Sequence, residues 1–287
     1  IGGENGSGKE LAARLIHQQS QRKDKRFVEL NCAAIPDDLI ESELFGYLKG
    51  FAPHANKDKK GKLLQADGGT LFLDEIGDMS LKTQAKLVKA IVTQKFEPLG
   101  SPETVTFDAR VIAATSKNPK DLILKGKFKE DLFFKLNVIP MTIPPLRERT
   151  EDIPLLVHYF LRYFSAEYGK KTKTMGREAM KAFLNYTWPG NVSELMNVIE
   201  RFVIMVEDDE IGVSHLNLLV EARELESMPG LHNHPTLGQA AYVFEKKFIH
   251  RALTKNHWDL AKTAAELDLN GEALKEKIRV FNITLFD

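Results

Sequence analysis

The stretch Gly3-Glu4-Asn5-Gly6-Ser7-Gly8-Lys9-Glu10 decides the fold of this 287-residue chain. Gly3 and Gly8 are separated by four residues and Lys9 follows directly, which is the spacing of a phosphate-binding loop. Glycines let backbone N–H groups turn inward around phosphate oxygens, and the following helix presents its positive end. Glu10 stands where the strict motif has serine or threonine as a magnesium ligand. A plain glycine turn is therefore the alternative interpretation.

An apolar strand that ends in two carboxylates complements this loop. The run Thr70-Leu71-Phe72-Leu73 is followed by Asp74 and Glu75. We expect Asp74 to hold magnesium and Glu75 to polarise the water that attacks a γ-phosphate. A strand followed by a solvated acidic turn is the alternative for either residue alone. The phosphate loop upstream favours the catalytic interpretation.

The chain alternates apolar runs with amphipathic segments, which predicts an α/β fold with a parallel sheet and covering helices over residues 1–150. The strand candidates are 27–30, 70–73 and 109–114. The pattern turns helical over 151–226, residues 227–237 have linker composition, and 238–287 form a third module. Because the chain opens on Ile1 rather than methionine, we expect the first strand of the sheet to lie upstream of it.

Composition excludes several classes of protein. Hydrophobic residues make up 43% and charged residues 28%, which is ordinary for a globular chain and too apolar for a disordered one. The 40 basic and 40 acidic side chains cancel, so no global field attracts nucleic acid. No apolar run approaches the roughly 18 residues of a membrane span. The single cysteine, Cys32, excludes an internal disulfide framework, and we expect a cytoplasmic protein without a membrane partner.

Several strings along nearly the whole chain resemble the bacterial enhancer-binding transcription activators, the AAA+ proteins that act on sigma-54 RNA polymerase. The strings are the opening loop, Asn31-Cys32-Ala33-Ala34-Ile35, Glu41-Ser42-Glu43-Leu44-Phe45-Gly46, Ala66 to Gly77, Pro144-Pro145-Leu146-Arg147-Glu148-Arg149 and Trp188-Pro189-Gly190-Asn191. In this family the residue after the loop lysine is usually glutamate, which agrees with Glu10. The resemblance implies a P-loop AAA+ α/β subdomain, a helical lid subdomain and a C-terminal helix-turn-helix.

The resemblance also implies the cofactors ATP and Mg²⁺ and a set of site residues. Nucleotide would be bound by Gly3, Glu4, Asn5, Gly6, Ser7, Gly8, Lys9, Glu10, Thr115, Ser116 and Ser193. Thr115 and Ser116 correspond to the first sensor of the γ-phosphate, and Asp74 to the Mg²⁺ ligand. Asn31 would position the catalytic Glu75 as a switch, with an ordinary strand-end hydrogen bond as the alternative.

The chain departs from the family's pattern at charged and flexible positions. The two arginines that a subunit donates to its neighbour's nucleotide are Lys129 and Lys135 here, which keep the charge but lose the planar fork. The second sensor arginine is Ser193. The loop that reaches the sigma factor reads Gly50, Phe51, Ala52, Pro53, His54 and Ala55, in place of Gly-Ala-Phe-Thr-Gly-Ala. Pro53 fixes φ where the family has threonine.

The tail is similar to the family's Fis-type DNA-binding unit. It predicts a first helix from Asp259 to Leu267, a turn at 268–270 and a recognition helix from Gly271 to Phe281. We expect Ala264, Ala265, Leu267, Leu269, Leu274 and Ile278 to pack this unit. The candidate DNA contacts are Asn270, Lys275, Lys277 and Arg279, with solvated helix surface as the alternative. Glu272 and Glu276 would repel the duplex backbone.

The leading hypothesis is an ATP-binding transcription regulator of the sigma-54-activator type. It would form homo-oligomers, ranging from a dimer to a hexameric or heptameric ring, and would hydrolyse ATP at the interfaces between subunits. Its partners would be an enhancer-like DNA site and sigma-54 RNA polymerase. The alternative is a regulator that binds nucleotide without hydrolysing it, as a DNA-bound repressor or independently of sigma-54. A P-loop kinase is disfavoured, because no acceptor-substrate site is evident.

Overall fold

The computed structural model describes residues 1–51, 55–216, 245, 246, 248–250, 252, 253, 255, 256, 258–267, 269–281 and 283. The chain divides into a first unit, Ile1–His215, and a second unit, Leu216–Asp287. The proposed linker at 227–237 lies outside the described residues. No helix among the described residues is long and apolar enough to cross a membrane.

The described strands are β1 (Phe27–Asn31), β2 (Gly46–Tyr47), β3 (Lys59–Lys60), β4 (Thr70–Asp74), β5 (Lys95–Phe96), β6 (Val105–Thr106), β7 (Arg110–Ala113), β8 (Thr174–Met175) and β9 (Glu210–Ile211). The fully described helices are α1 (Lys9–Gln18), α2 (Asp37–Phe45), α3 (Lys62–Gln65), α4 (Leu81–Thr93), α5 (Pro119–Leu124), α6 (Glu130–Leu136), α7 (Asp152–Glu167), α8 (Arg177–Asn185), α9 (Asn191–Met205), α10 (Leu260–Glu266) and α11 (Gly271–Val280). Short 3₁₀ turns occupy Ile76–Asp78, Leu146–Glu148 and Val213–Leu216.

The central sheet has the order β1-β4-β7, and its strands are all parallel. Asn31 lies opposite Asp74 in the register, so the carboxyl ends of β1 and β4 meet at one edge. The parallel α/β prediction is therefore confirmed, with strands at the three predicted places. Gly2 extends the sheet through isolated parallel bridges to Thr115 and Thr142, which brings the start of the phosphate loop to the same edge.

Both faces of the sheet are covered, because successive strand residues point to opposite sides. Leu71 and Leu73 of β4 pack into the larger core with α2, α3, α4 and α6. Phe72, between them, faces Ala13 of α1 in a smaller cluster on the other side. All three β4 residues are fully buried, so the strand that carries Asp74 at its end is anchored on both faces.

The helical part of the first unit is built around Trp188. Its ring is fully buried and meets Phe183 edge-on at 5.1 Å, while its indole N–H donates to the Phe183 carbonyl at 2.9 Å. Helices α7 and α9 pack against each other beside it, and β8 pairs in parallel with β9. Helices α7, α8 and α9 lie within the segment 151–226 for which the sequence predicts helices. The small β8–β9 pair was not predicted.

In the second unit, α10 and α11 begin on side-chain caps. Asp259 accepts hydrogen bonds from the backbone of Ala261 and Lys262, and Asn270 accepts one from Ala273. The two helices lie within the segments, Asp259 to Leu267 and Gly271 to Phe281, that the resemblance of the tail implied. The packing prediction was wrong at Ala265, which is exposed, while Thr263 is fully buried. The remaining predicted packing residues lie in one cluster: Ala264, Leu267, Leu269, Leu274 and Ile278.

Candidate functional site

The phosphate loop closes around left-handed glycines directly before α1. Gly6 has φ 71° and Gly8 has φ 103°, conformations that side-chain-bearing residues rarely adopt. A Cβ atom on Gly6 would lie 2.3 Å from the carbonyl oxygen of Gly190, whereas a Cβ on Gly8 would meet open space. The loop is thus packed against the helical subdomain at Gly6 and open in front of Gly8, where α1 begins.

Lys9 is nearly buried at the base of the loop. Its ammonium donates to the carbonyl oxygens of Gly3 at 2.9 Å and Glu4 at 3.2 Å. It also forms an ion pair with Glu75 at 3.0 Å. The phosphate-binding cation predicted from the motif therefore contacts the predicted catalytic base across the cleft.

Glu75 lies one residue beyond β4, in a left-handed conformation with φ 47°. Its second carboxylate oxygen accepts hydrogen bonds from the Ser116 backbone at 2.9 Å and the Ser116 hydroxyl at 2.8 Å. Burial alone would raise the pKa of Glu75, but Ser116 and Lys9 together lower it below its ordinary value. The carboxylate is therefore held ionised, as a base that accepts a proton from water must be.

Asp74 and Asn31 end the two neighbouring strands. The carboxylate of Asp74 accepts the Glu75 backbone N–H at 3.0 Å, and burial and the charge of Glu75 raise its pKa. The side-chain oxygen of Asn31 accepts the backbone N–H groups of Ala33 at 2.9 Å and Ala34 at 3.2 Å. In this conformation the Asn31 oxygen makes the local hydrogen bonds of a strand end, and the switch role stays a prediction.

A cleft of about 630 Å³ joins these groups. It is lined by Asn5, Gly6, Gly8, Lys9, Glu10, Leu11, Arg14, Asn31, Ala33, Asp74, Glu75, Val192, Ser193 and Met196. The volume falls within the range of small-molecule sites, which is about 300–1,000 Å³. Ser193 lies beside the loop, with its backbone N–H 3.4 Å from the Gly6 carbonyl. Thr115 is buried next to Ser116, and its hydroxyl accepts the Lys117 backbone N–H at 3.1 Å.

Two arginines, Arg147 in the 3₁₀ turn Leu146–Glu148 and Arg149 directly after it, donate hydrogen bonds to the phosphate loop. Arg147 donates to both carboxylate oxygens of Glu4, at 2.8 and 2.6 Å. Hydrogen bonds from Arg147 and Asn191 lower the pKa of Glu4 to about 2. Arg149 donates to the Ser7 carbonyl at 2.7 Å. Glu4, predicted as a nucleotide contact, thus pairs with Arg147 in this conformation.

Asn191, the first residue of α9, joins the helical subdomain to the same loop. It is fully buried with φ 53°. Its amide donates to the Asn5 carbonyl at 2.9 Å and to Glu4 at 3.1 Å, and its oxygen accepts the Leu146 N–H at 2.8 Å. One side chain therefore joins α9 to polar groups of two other segments, the phosphate loop and the turn at Leu146.

Replacing Asn191 by alanine is expected to lower the free energy of unfolding by about 1–3 kcal/mol, because buried polar groups lose their partners. Alanine also tolerates the left-handed backbone of this position less well than asparagine, which adds to the loss. Urea titration followed by circular dichroism measures the loss. Asn191→Gly is the matched control, since it removes the hydrogen bonds without the backbone strain, and it should unfold less easily than Asn191→Ala. An alanine variant as stable as the wild type would contradict the structural role.

The two lysines that would contact a neighbouring subunit's nucleotide lie at opposite ends of α6. Lys129 is the N-cap residue and is half-buried, and Lys135 lies in the last turn and is exposed. The sigma-contact candidates lie at the tip between β2 and β3. Gly50 donates its backbone N–H to Ala55 at 2.8 Å, and Phe51 is 48% exposed. Ala52, Pro53 and His54 lie outside the described residues.

The DNA-contact candidates belong to the second unit. Asn270 caps α11, while Lys275 and Arg279 are exposed on that helix. Lys277 is half-buried and pairs with both carboxylate oxygens of Glu245 at 3.1 Å. Its charge is thus already matched by an acidic partner, whereas Lys275 and Arg279 present theirs to solvent.

Sequence reasoning missed the roles of Arg147, Arg149 and Asn191. These residues lie in strings that carried the family resemblance, but no partner could be assigned to them. Arg147 and Glu4 are 143 positions apart, so sequence spacing contains no signal for the pair. The buried Gln84 was also missed, although a glutamine amid the apolar positions of α4 is a visible anomaly.

A phosphate loop, an Asp-Glu pair at the end of a parallel strand and a helical subdomain beside the loop define a P-loop protein of the AAA+ class. Residues 1–142 match the sigma-54 interaction domain, and residues 147–230 match the AAA+ ATPase lid domain. The chain belongs to the AAA+ family of sigma-54-dependent, enhancer-binding transcription regulators.

Named relatives and a solved structure agree. UacR of Escherichia coli K12, named as a sigma-54-dependent transcriptional regulator, is 43% identical over 98% of this chain. ZraR of Salmonella typhimurium, a transcriptional regulatory protein, is 40% identical over 97%. The structure of NtrX from Brucella abortus in complex with ATP superposes with a TM-score of 0.74 and 34% identity, over 99% of this chain and 63% of NtrX. The chain spans 49% of UacR and 62% of ZraR.

Proposed function

We propose that this chain is the ATP-hydrolysing and DNA-binding part of a sigma-54-dependent transcription regulator. The observation that carries this proposal is the ion pair between Lys9 and Glu75 beneath the glycine loop. It places the ammonium of Lys9, which would bind phosphate, next to the ionised carboxylate of Glu75 in one cleft. The ATP complex of NtrX and the lid match support the same assignment.

The cleft fits a nucleoside triphosphate with Mg²⁺. Open space in front of Gly8 leaves room for phosphate oxygens at the positive end of α1. Asp74 has only one described hydrogen-bond donor, the Glu75 backbone N–H, so its other lone pairs suit a metal. Bound Mg²⁺ would neutralise phosphate charge during transfer. Ser193 and Met196 would close over the nucleotide from the lid.

Nucleotide binding would redistribute the contacts of Lys9. The ammonium would exchange its carboxylate partner for phosphate oxygens, which are the stronger anionic ligands in the loop. Glu75 would then keep the two hydrogen bonds from Ser116. It would lose Lys9, the cation that stabilises its negative charge. Its pKa would rise, and with it the basicity needed to take a proton from the attacking water.

The Mg²⁺ assignment is tested by nucleotide titration with magnesium and with EDTA. We expect wild-type protein to bind ATP more tightly with the metal, and Asp74→Asn to lose that difference. Asp78→Asn, which removes a half-buried carboxylate paired with Lys117, is the matched control and should keep it. An Asp74→Asn protein with the full magnesium effect would place the metal elsewhere.

Hydrolysis would take place in rings, where Lys129 and Lys135 of one subunit contact the nucleotide of the next. Changing both to arginine is expected to raise turnover about tenfold, the equivalent of one further charge-assisted hydrogen bond at about 1.4 kcal/mol. Lys125→Arg together with Lys127→Arg is the control on the same surface. Phosphate release per subunit at saturating ATP measures the effect. Equal turnover in the two double variants would show that replacing the planar guanidinium of arginine by lysine at positions 129 and 135 does not limit hydrolysis.

The partners are sigma-54 RNA polymerase, through the loop that contains Phe51, and an enhancer-like DNA site, through a helix-turn-helix formed by α10 and α11. Exposed Lys275 and Arg279 favour phosphate contacts on DNA. The alternative is a regulator that binds nucleotide without hydrolysing it, as a repressor or independently of sigma-54. The lysines at the two finger positions and Pro53 in the sigma loop favour that alternative.

A further inference from the structure

Gln84 is a fully buried amide in the first turn of a helix that packs apolar residues into the main core. It belongs to α4, where Leu87 and Ala90 pack into the main core. A buried amide is costly unless its donors and acceptor all find partners. Gln84 finds three, and they belong to two segments that are remote from each other in sequence.

The first segment is the turn that follows the catalytic base. Gln84 Nε2 donates to the carbonyl of Met79 at 2.7 Å. Met79 follows the 3₁₀ turn Ile76–Asp78, which begins immediately after Glu75. This turn is also tied to the Ser116 segment, since Ile76 donates to the Ala114 carbonyl at 3.0 Å and Asp78 pairs with Lys117.

The second segment carries the residue proposed to act on the neighbouring subunit. Gln84 Nε2 also donates to the Lys127 carbonyl at 3.1 Å, and Gln84 Oε1 accepts the Lys129 backbone N–H at 2.8 Å. Phe128, between these two lysines, is buried in the same core as Leu132. The amide therefore holds the backbone of residues 127–129 directly before α6, and with it the position of Lys129.

We propose that Gln84 is a positioning residue that joins each subunit's Glu75 turn to the Lys129 that serves the neighbouring subunit. One side chain spans both segments, so a shift of the turn at one nucleotide moves the cation presented to the next nucleotide. This inference rests on the proposed ring hydrolysis. It adds a physical link between a subunit's own site and the site it completes.

The test uses mixtures of variant subunits of the full chain. Gln84→Met keeps the side-chain volume and removes all three hydrogen bonds. Its homomeric turnover should fall by about 10- to 100-fold, the cost of misplacing a group by about 1 Å. Its nucleotide affinity should stay unchanged, because its own loop, Lys9 and Asp74 are intact. Thr83→Val is the matched control: Thr83 is equally buried on the same helix, but its hydroxyl contacts Ser80.

Mixing assigns the defect to one side of the interface. In a Gln84→Met subunit the hydrogen bonds of Glu75 to Ser116 and of Ile76 to Ala114 remain, so its own Glu75 should stay in place. Together with Glu75→Gln subunits, which have an intact Lys129 and no base, Gln84→Met should therefore regain turnover above either parent. Together with Lys129→Ala subunits it should regain none, because every Lys129 position in the ring is then defective. Recovery with Lys129→Ala, or recovery with neither partner, would overturn the proposal.

A third mixture separates this inference from the proposed function. Glu75→Gln with Lys129→Ala should regain turnover if sites are shared between subunits. If that mixture works and the Gln84 mixture does not, only the role of Gln84 is wrong. If it stays inactive, shared hydrolysis and the role of Gln84 both fall. Should Gln84→Met fold poorly, Gln84→Leu is the second variant; it also removes all three hydrogen bonds, including the one to Lys129, and is expected to give the same pattern.

Discussion

Replacing Glu75 by glutamine is expected to lower steady-state phosphate release by about 10²- to 10⁴-fold, the usual contribution of a general base, while ATP stays bound. The amide keeps the size of the carboxylate and can still accept from Ser116, which donates through its backbone and its hydroxyl. It cannot take a proton from water. Lys9 loses a charged partner and becomes more available to phosphate, so affinity for ATP should be retained or improved.

Glu43→Gln is the matched control for this variant. Glu43 is also a glutamate paired with a lysine, but it lies on α2, half-buried, and its partner Lys59 belongs to β3 rather than to the cleft. Its turnover should equal that of the wild type. A Glu75→Gln protein that releases phosphate at the wild-type rate would mean that another group activates the water.

Replacing Lys9 by alanine is expected to weaken ATP binding about 10- to 150-fold, which corresponds to about 1.5–3 kcal/mol for one charge-assisted contact. The phosphates lose the ammonium, and the ionised Glu75 that Lys9 now neutralises remains in the cleft to repel them. Titration with a fluorescent ATP analogue measures the change, with circular dichroism to verify that the variant is folded.

The control for Lys9→Ala is Lys86→Ala. Lys86 is a lysine paired with the buried carboxylate of Glu41, on the opposite side of the sheet from α1. It should leave the affinity for ATP unchanged. Unchanged affinity in Lys9→Ala itself would place the nucleotide outside this loop and remove the basis of the proposed function.

The elements of the α/β core could be predicted from local patterns. Runs dominated by apolar residues predicted β1, β4 and β7, because strands covered on both faces lack a regular polar alternation. Asp74 and Glu75 could be placed at the cleft for the same reason, since the carboxyl ends of parallel strands share an edge. The caps Asp259 and Asn270 likewise have local signals, which is why α10 and α11 begin where the sequence indicates.

Contacts between distant segments could not be predicted in this way. Nothing local to Glu4 indicates Arg147, and nothing local to Gln84 indicates Lys129. The hydrogen bonds of Asn191 depend on a left-handed backbone that only the packing of three segments enforces. Ala265 was misplaced because alanine spacing on a short helix fits either face equally well.

The most direct measurement of the central claim is steady-state phosphate release by this chain with magnesium ATP, across a series of protein concentrations. We expect turnover per subunit to rise cooperatively with concentration, because each Glu75 site would need a lysine from a neighbouring subunit. Tight ATP binding with no release above that of Glu75→Gln at any concentration would contradict ring hydrolysis. That result would assign the nucleotide to shaping or assembling a DNA-bound regulator.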